Sequence, residues 1–367
     1  MKRNLTTAIV LAFLCTLFVG GLAVVNTGCD INLTQLTDLL DDDGLGTTDF
    51  DDDLDSTDFD DDGSGTQDQD QGPQGTALGD GHMVYNVTDD FIAYAEQASG
   101  DDAAGRQTKW DQMLEGKWLA FFNDVLYRGL TGQDRENYKS QIIDQFWNEI
   151  VPKLDTLKQV NSTAAQKTLD GRTTFQNMFT DFDPKADYYL TVAFSFHGKA
   201  VEVAGQPALA LGLENFAPDE PELDITIAHE QFHLYHFTTF DAAGGLYRGV
   251  WAEGMAVYAS TVVLPGYRMT QYLGFTGEQV DSMWNLFDDL TADIRNNLSS
   301  SDQTIKRAYL GVEPNDTWIP PGSGYYIGFY VVDALVKEGN TLADLTRWDK
   351  DTVYQNMDRI LPTLQQP

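Results

Sequence analysis

The sequence predicts an α+β fold: one mainly helical domain with a small mixed β-sheet. From about residue 81 the composition becomes globular, and the chain is 42% hydrophobic with 20 Phe, 16 Tyr and 7 Trp, enough for a sizeable core. Apolar residues recur at helical spacing in several long segments, and two short apolar runs near the middle of the chain are typical of strands. No second change of composition follows, which favours a single domain over residues 81–367.

The first 28 residues have the layout of a signal peptide. Two basic residues precede an apolar run that ends at Val25, and small residues follow. The run closes in Asn-Thr-Gly-Cys, which resembles a bacterial lipoprotein signal and implies lipidation of Cys29 and an extracytoplasmic place in the cell envelope. Asn26 stands where that motif usually has an aliphatic residue, so an uncleaved membrane anchor and ordinary secretion stay open as alternatives.

An acidic, disordered tether is predicted for residues 29–80. Residues 30–80 contain 17 Asp and no Lys or Arg, so they cannot bury enough apolar surface to offset their ordering entropy. A D-x-D-x-D-G match beginning at Asp58 resembles the start of a calcium loop. Its twelfth position is Gln69 instead of the bidentate Glu, which argues against Ca²⁺ in the tether.

Charge and cysteine content exclude two classes of function. The formal net charge is -34, and residues 81–367 alone carry 40 acidic against 21 basic side chains, so nucleic acid is a poor partner. Cys15 and Cys29 both lie in the first thirty residues, which leaves the domain without a disulfide or a thiolate. Histidines and carboxylates are therefore the transition-metal ligands available to it.

Periodicity predicts the elements in order. The first helix is expected at 109–130, where Trp110, Leu114, Trp118 and Phe121 keep helical spacing, and the second at 134–158. Strands are expected at 188–196 and 207–213, joined by a turn region. The remaining helices are predicted at about 220–239, 250–263, 278–297, 324–338 and 342–361.

The 220–239 helix carries three of the five histidines, in A-H-E-Q-F-H-L-Y-H-F. His229 and His233 are four residues apart, so both leave one face of the helix and two imidazole nitrogens can reach one Zn²⁺ at about 2.0–2.1 Å. Glu230 completes an H-E-x-x-H motif and can act as general base, taking a proton from a metal-activated water and passing it to the leaving amine.

A zinc site with two histidines needs a third protein ligand that leaves the fourth position open. Glu253, in W-A-E-G-M-A-V-Y-A on the next predicted helix, can supply it if the two helices pack antiparallel. Its small and apolar neighbours indicate a buried segment instead of a solvent-facing one. We expect one Zn²⁺, held by His229, His233 and Glu253.

H-E-Q-F-H followed by E-G-M-A resembles the gluzincin metallopeptidases, the group of thermolysin and the zinc aminopeptidases. The resemblance implies a zincin-like domain with the sheet next to the H-E-x-x-H helix, zinc ligands at His229, His233 and Glu253, and Glu230 as general base. G-S-G-Y-Y-I-G-F-Y (322–330) is similar to the C-terminal G-Y-Y-x-G segment of bacterial predicted zinc-dependent proteases. Together the matches span roughly residues 188–340.

Gluzincins supply a Tyr or His downstream of the third ligand to stabilise the negatively charged oxygen of the tetrahedral intermediate. The resemblance makes Tyr325 and Tyr326 the candidates, of which at most one can hold the role. The alternative for both is a place in the core.

Two features of the site region stay open. Residues 208–217 are a candidate edge strand for an extended peptide substrate, and their G-L-E-N resembles the G-x-M-E-N stretch with which aminopeptidases hold a free amino terminus, a role this implies for Glu214. His236 lies about 20° around the helix from His229 but about 10.5 Å along it. It is therefore either a residue near the metal or substrate cleft, or a simple surface or core histidine.

The sequence predicts a signal peptide (1–28), an acidic tether (29–80) and a zinc metallopeptidase domain (81–367). The expected function is a membrane-anchored, extracytoplasmic peptidase that hydrolyses peptide bonds in a peptide or protein substrate. An aminopeptidase-like exopeptidase and a non-catalytic zinc-binding envelope lipoprotein are the alternatives.

Overall fold

A computed structural model describes residues 74–183, 185–312 and 317–366. The predicted signal peptide, Cys29 and the calcium-loop match at Asp58 lie outside the described residues. Strand β1 (Gly75–Ala77) already pairs with β2 (Met83–Asn86), so regular structure is present before residue 81, where the composition changes. Within the described ranges no helix is both long enough and apolar enough to cross a membrane.

The sheet has five strands in the order β1-β2-β3-β5-β4, where β3 is Asp187–Thr191, β4 is Gly198–Val203 and β5 is Gln206–Gly212. β3 is parallel to both of its neighbours, β2 and β5, whereas β1 and β4 pair antiparallel at the two edges. The small mixed sheet beside a mainly helical body confirms the predicted α+β class. The two apolar runs predicted as strands, 188–196 and 207–213, overlap β3 and β5.

The N-terminal helices differ from the prediction in their interruptions. They are α1 (Val87–Gln97), α2 (Ala103–Trp110), α3 (Leu119–Phe121), α4 (Gly132–Gln145) and α5 (Leu154–Met178). The single helix predicted at 109–130 is instead two short helices, and wider π-helical turns at Asp111–Glu115 and Phe122–Leu126 continue them. Trp110, Leu114, Trp118 and Phe121 are nevertheless all buried, as their spacing indicates.

The C-terminal helices begin with the two that carry the histidines and Glu253. They are α6 (Glu222–His236), α7 (Leu246–Val263), α8 (Met269–Leu273), α9 (Gly277–Asn285), α10 (Phe287–Asn297), α11 (Gln303–Leu310), α12 (Ser323–Lys337), α13 (Leu342–Leu345) and α14 (Lys350–Ile360). The predicted 278–297 and 342–361 helices are each divided in two, and α8 and α11 were not predicted.

Helix α6 belongs to both hydrophobic cores. Leu223 and Ile227 face the core that the sheet forms with α1–α5. Ile225, Ala228 and Phe232 face the core that the C-terminal helices form around α7 and α12. Because apolar side chains leave α6 on two sides, the helix is fixed between the two cores.

The hairpin between β4 and β5 turns through two residues, Ala204 and Gly205, which both have positive φ (51° and 71°). A two-residue turn of this kind favours Asn-Gly, because Asn tolerates the left-handed region better than Ala. We expect Ala204→Asn to raise the free energy of unfolding by roughly 0.5–1 kcal/mol and Ala204→Val to lower it. Urea denaturation measures both, and equal stabilities of the two variants would contradict the turn geometry.

Candidate metal centre

The first two candidate ligands leave α6 on the same face, one turn apart. The Nε2 atoms of His229 and His233 lie 3.0 Å from each other. Only 13% of the His229 side chain and 6% of the His233 side chain is exposed. Both imidazoles therefore point into an enclosed space and away from bulk solvent.

Helix α7 brings the third candidate ligand to the same point. Glu253 Oε2 lies 3.1 Å from His229 Nε2 and 3.2 Å from His233 Nε2, so the three atoms form a nearly equilateral triangle. A tetrahedral zinc ion with bonds of about 2.0–2.1 Å separates its ligand atoms by about 3.3 Å. Two imidazoles and one carboxylate at this spacing fit a zinc ion that keeps its fourth position open.

Burial and charge act against each other in this triangle. Burial opposes ionisation of Glu253, but the His233 charge and hydrogen bonds from both histidines outweigh it and hold the pKa of Glu253 well below its usual range. Burial opposes protonation of His233, yet Glu253 raises the pKa of His233 above its usual value. The carboxylate is therefore ionised, as a metal ligand must be.

Aromatic rings hold both imidazoles in place. The His229 ring stacks on Tyr325 with centroids 6.2 Å apart and planes 19° apart, and the His233 ring stacks on Phe237 at 4.9 Å and 19°. His233 Nδ1 is buried and has no hydrogen-bond partner among the described residues. On the Nδ1 side, packing therefore holds the His233 ring, whereas metal-binding histidines commonly use a hydrogen bond from the second nitrogen.

A close approach of α7 and α12 connects the two sequence motifs. A Cβ atom on Gly254 would lie 2.2 Å from the carbonyl carbon of Gly328, and one on Gly328 would lie 2.2 Å from the carbonyl oxygen of Val250. Only glycine at both positions lets the two backbones touch in this way. The glycine of E-G-M-A thus packs against the last glycine of G-Y-Y-I-G, one residue from Glu253 and three from Tyr325.

The structure separates the two candidate tyrosines. Tyr325 lies against His229, at the metal centre. Tyr326 is only 1% exposed, donates a hydrogen bond to Tyr330 and packs edge-on against Phe287, and burial raises its pKa. Successive residues of a helix point about 100° apart. Only Tyr325 of the pair is therefore next to a candidate metal ligand.

Glu230 lies between α6 and the edge strand β4. It is buried, and the backbone amide of Ala200 hydrogen-bonds to its carboxylate. A Cβ on Gly198 would come within 2.6 Å of both Glu230 Cγ and Thr226 Cγ2, so β4 lies directly on this part of α6. Burial raises the pKa of Glu230 and Glu253 adds to the increase, while His233, His229 and the Ala200 amide oppose it.

The edge strand beside the site is not the one expected from the sequence. The prediction made 208–217 the edge, but β5 lies between β3 and β4 and is paired on both sides. The edge is β4, in a segment that the sequence analysis treated as part of a turn. Its sequence, G-K-A-V-E-V, does carry alternating apolar residues in its second half, which is the signal that could have identified it.

Glu214 supports a turn. Its Oε1 accepts hydrogen bonds from the amides of Ala193 (2.9 Å) and Phe194 (2.7 Å), where Phe194 has a positive φ of 65°. Its Oε2 is buried without a partner among the described residues, and burial raises the pKa of Glu214 to about 7 although the amide hydrogen bonds oppose the increase. The G-L-E-N resemblance to an amino-terminus anchor is therefore not supported by this geometry.

His236 is a core residue. It is fully buried, and its ring stacks on Phe240 with centroids 4.8 Å and planes 11° apart. Neither ring nitrogen has a hydrogen-bond partner among the described residues, and burial, with a smaller contribution from His233, lowers the pKa of His236 to about 3. Of the two interpretations that the sequence left open, the structure favours the core histidine.

Comparison of the parent with Glu214→Gln at several pH values tests whether burial raises the pKa of the Glu214 carboxyl. A carboxyl whose pKa is raised from 4.5 to about 7 stabilises the fold below pH 4.5 and loses that contribution as the pH rises to 7. The free energy of unfolding of the parent, minus that of Glu214→Gln, should fall by about 3 kcal/mol between these pH values and stay level above them. Urea titrations at several pH values measure the difference, and a constant difference would contradict the shift.

Comparison with known proteins agrees with this centre. Residues 194–355 match the family model described as "Predicted Zn-dependent protease (DUF2268)". The match covers somewhat less than half of the chain, and it includes β4, both histidines, Glu253 and Tyr325. Comparisons with curated proteins and with solved structures gave no match. Residues 194–355 are thus similar to a zinc protease family, and the His-His-Glu triangle is compatible with its metal.

Proposed function

We propose that this protein is a zinc-dependent peptidase of the gluzincin type, which hydrolyses internal peptide bonds of a peptide or protein substrate. The observation that carries the proposal is the convergence of His229, His233 and Glu253 on one point, with Glu230 beside it. A purely structural zinc site needs no additional carboxylate beside its ligands, which argues against a non-catalytic zinc-binding lipoprotein. The hydrogen bonds that Glu214 accepts from the Ala193 and Phe194 amides do not support the amino-terminus anchor that an aminopeptidase would require.

Each residue around the centre has a separate role in the proposed reaction. His229, His233 and Glu253 would hold the zinc ion, which would supply Lewis acidity to activate water and to polarise the substrate carbonyl. Glu230 takes the proton of the attacking water and returns it to the leaving amine, and the Ala200 amide holds its carboxylate in place. Tyr325, stacked on His229, donates a hydrogen bond to the oxygen that becomes negative in the transition state.

The edge strand β4 supplies the surface for an extended substrate. An unpaired strand edge can accept a peptide as an additional strand, with backbone hydrogen bonds that do not depend on sequence. The contact of Gly198 with Glu230 brings this edge next to the catalytic carboxylate. A peptide paired with β4 therefore runs past the metal centre.

The proposal includes an extracytoplasmic location with a membrane anchor at the N-terminus. It rests on the signal-like first 28 residues, on Cys29 in a lipoprotein-like context and on the acidic residues that follow. Lipidation of Cys29 is the form of anchor that the sequence favours, with an uncleaved signal anchor as the alternative. Globomycin sensitivity of processing in a bacterial host distinguishes the two.

Metal content and cleavage of a peptide library test the proposed function. We expect near-stoichiometric zinc in the purified full-length protein and in Glu230→Gln, and a rate at least about 100-fold lower for Glu230→Gln, which lacks the base. Glu253→Ala should bind zinc at least about 100-fold more weakly, because it lacks a ligand. His236→Leu is the matched control and should keep its zinc.

Zinc without cleavage would support the non-catalytic alternative. Absence of zinc, or equal loss of zinc in Glu253→Ala and His236→Leu, would overturn the ligand assignment. Mass spectrometry of the metal content and chromatography of the peptide products provide the two measurements.

Adjacent tyrosines offer a matched pair of variants for the oxyanion donor. Tyr325→Phe removes the hydroxyl of the tyrosine whose ring stacks on His229 and should lower kcat about 100-fold or more, with KM and zinc content little changed. Tyr326→Phe removes the hydroxyl bonded to Tyr330 in the core and should leave kcat within about twofold while it lowers stability. Steady-state kinetics on one cleaved peptide decide the matter, and a larger loss of kcat in Tyr326→Phe would refute the assignment.

A further inference from the structure

The register of the β4–β5 hairpin fixes which groups of β4 face outward. Val203 pairs with Gln206 across the two-residue turn, and such a closing pair exchanges hydrogen bonds. The alternation then directs the backbone groups of Val201 and Lys199 toward β5 and those of Glu202, Ala200 and Gly198 outward. Two observations agree with this register: Pro207, which has no amide hydrogen, pairs with Glu202, and the Ala200 amide reaches Glu230.

The same three residues share one face of the sheet. Side chains alternate along a strand, and the Gly198 position faces Glu230 and Thr226 on α6. Glu202 is therefore on the face of β4 that looks toward the catalytic helix, about 7 Å along the strand from Ala200. Its side chain is exposed.

In a substrate strand paired with β4, every second side chain lies on this same face of the sheet, opposite the side chains of β4. The substrate residue opposite Ala200 lies beside Glu230, at the bond to be cleaved. The residue opposite Glu202 is two positions away, and directly opposed side chains have Cβ atoms about 5 Å apart. We infer that Glu202 determines specificity: it selects a substrate with Lys or Arg two residues away from the residue at the cleaved bond. This inference rests on the proposed peptidase function.

The charge around the strand favours the same class of substrate. At the end of the hairpin, the carboxylate of Asp124 accepts a hydrogen bond from the Ala204 amide, which adds a second negative charge close to Glu202 in the chain. Residues 81–367 as a whole carry 40 acidic against 21 basic side chains. A field of this sign attracts cationic peptides and raises their rate of association at low ionic strength.

The test exchanges charge on both sides of the contact. A peptide that the full-length protein cleaves is synthesised in several versions. Each version has Lys, Gln or Glu at a position two residues before or two residues after the residue at the cleaved bond. At one of these positions, we expect kcat/KM for Lys to exceed that for Glu by about fivefold or more in the parent, and the order to reverse in Glu202→Lys. Glu202→Gln should show a preference of less than about twofold, and added salt should weaken the preference in the parent.

Asp289→Lys is the control, because it makes the same change of charge at an exposed position on α10, which packs against α7 and α12. It should keep the order of the parent. The same order in Glu202→Lys as in the parent would overturn the inference, as would a reversal in Asp289→Lys.

Binding separates this inference from the proposed function. The same labelled peptides are titrated by fluorescence anisotropy against Glu230→Gln and against Glu230→Gln with Glu202→Lys. A preference for Lys that reverses with residue 202 supports the role of Glu202 even if no peptide is cleaved, in which case the peptidase proposal alone fails. Cleavage without any effect of residue 202 on rate or binding refutes Glu202 and leaves the peptidase proposal intact.

Discussion

The contact between Gly254 and Gly328 is the constraint on which the candidate centre depends. It lets the backbones of α7 and α12 touch, and each helix carries a residue of the centre within one turn of the contact. Glu253 approaches His229 and His233 from α7, and Tyr325 stacks on His229 from α12. A methyl group at either glycine would force the helices apart by more than the tolerance of a hydrogen bond or a metal ligand. The two motifs that stand seventy residues apart in the sequence are therefore one structural unit.

Helix α6 has a comparable role between the two cores. Its apolar residues anchor it to the sheet on one side and to the C-terminal helices on the other, so the two histidines and Glu230 are fixed by both. The sheet contributes Gly198 and the Ala200 amide to Glu230, and the C-terminal helices contribute Glu253 and Tyr325 to the histidines. Neither core alone contains a complete site.

The parts of this arrangement that the sequence could predict are those with a local signature. The four-residue spacing of His229 and His233 in a predicted helix places both imidazoles on one face, and the small and apolar residues around Glu253 predict a buried helix. The continuation of α5 to Met178 was missed because its buried stripe includes Thr168 and Arg172 between Ala164 and Phe175, which hides the apolar period. Strand β4 was missed because a glycine, a lysine and a glutamate interrupt its apolar pattern. Two of these residues have a reason in three dimensions: Gly198 lies on Glu230, and Glu202 is exposed on the edge. Which of Tyr325 and Tyr326 faces the metal centre depends on the rotation of α12, which the distant contact of Gly328 sets.

The position of β4 at the edge of the sheet has a consequence for the state of the substrate. A strand edge six residues long offers outward backbone groups at every second residue, and one of its amides already holds Glu230. Only a chain segment whose own amides and carbonyls are unpaired can align with such an edge, because helices and interior strands use theirs internally. Native proteins expose segments of this kind at termini, long loops and unfolded regions. The proposed peptidase is therefore expected to select unpaired chain segments before it selects a sequence, and to leave well-folded proteins intact.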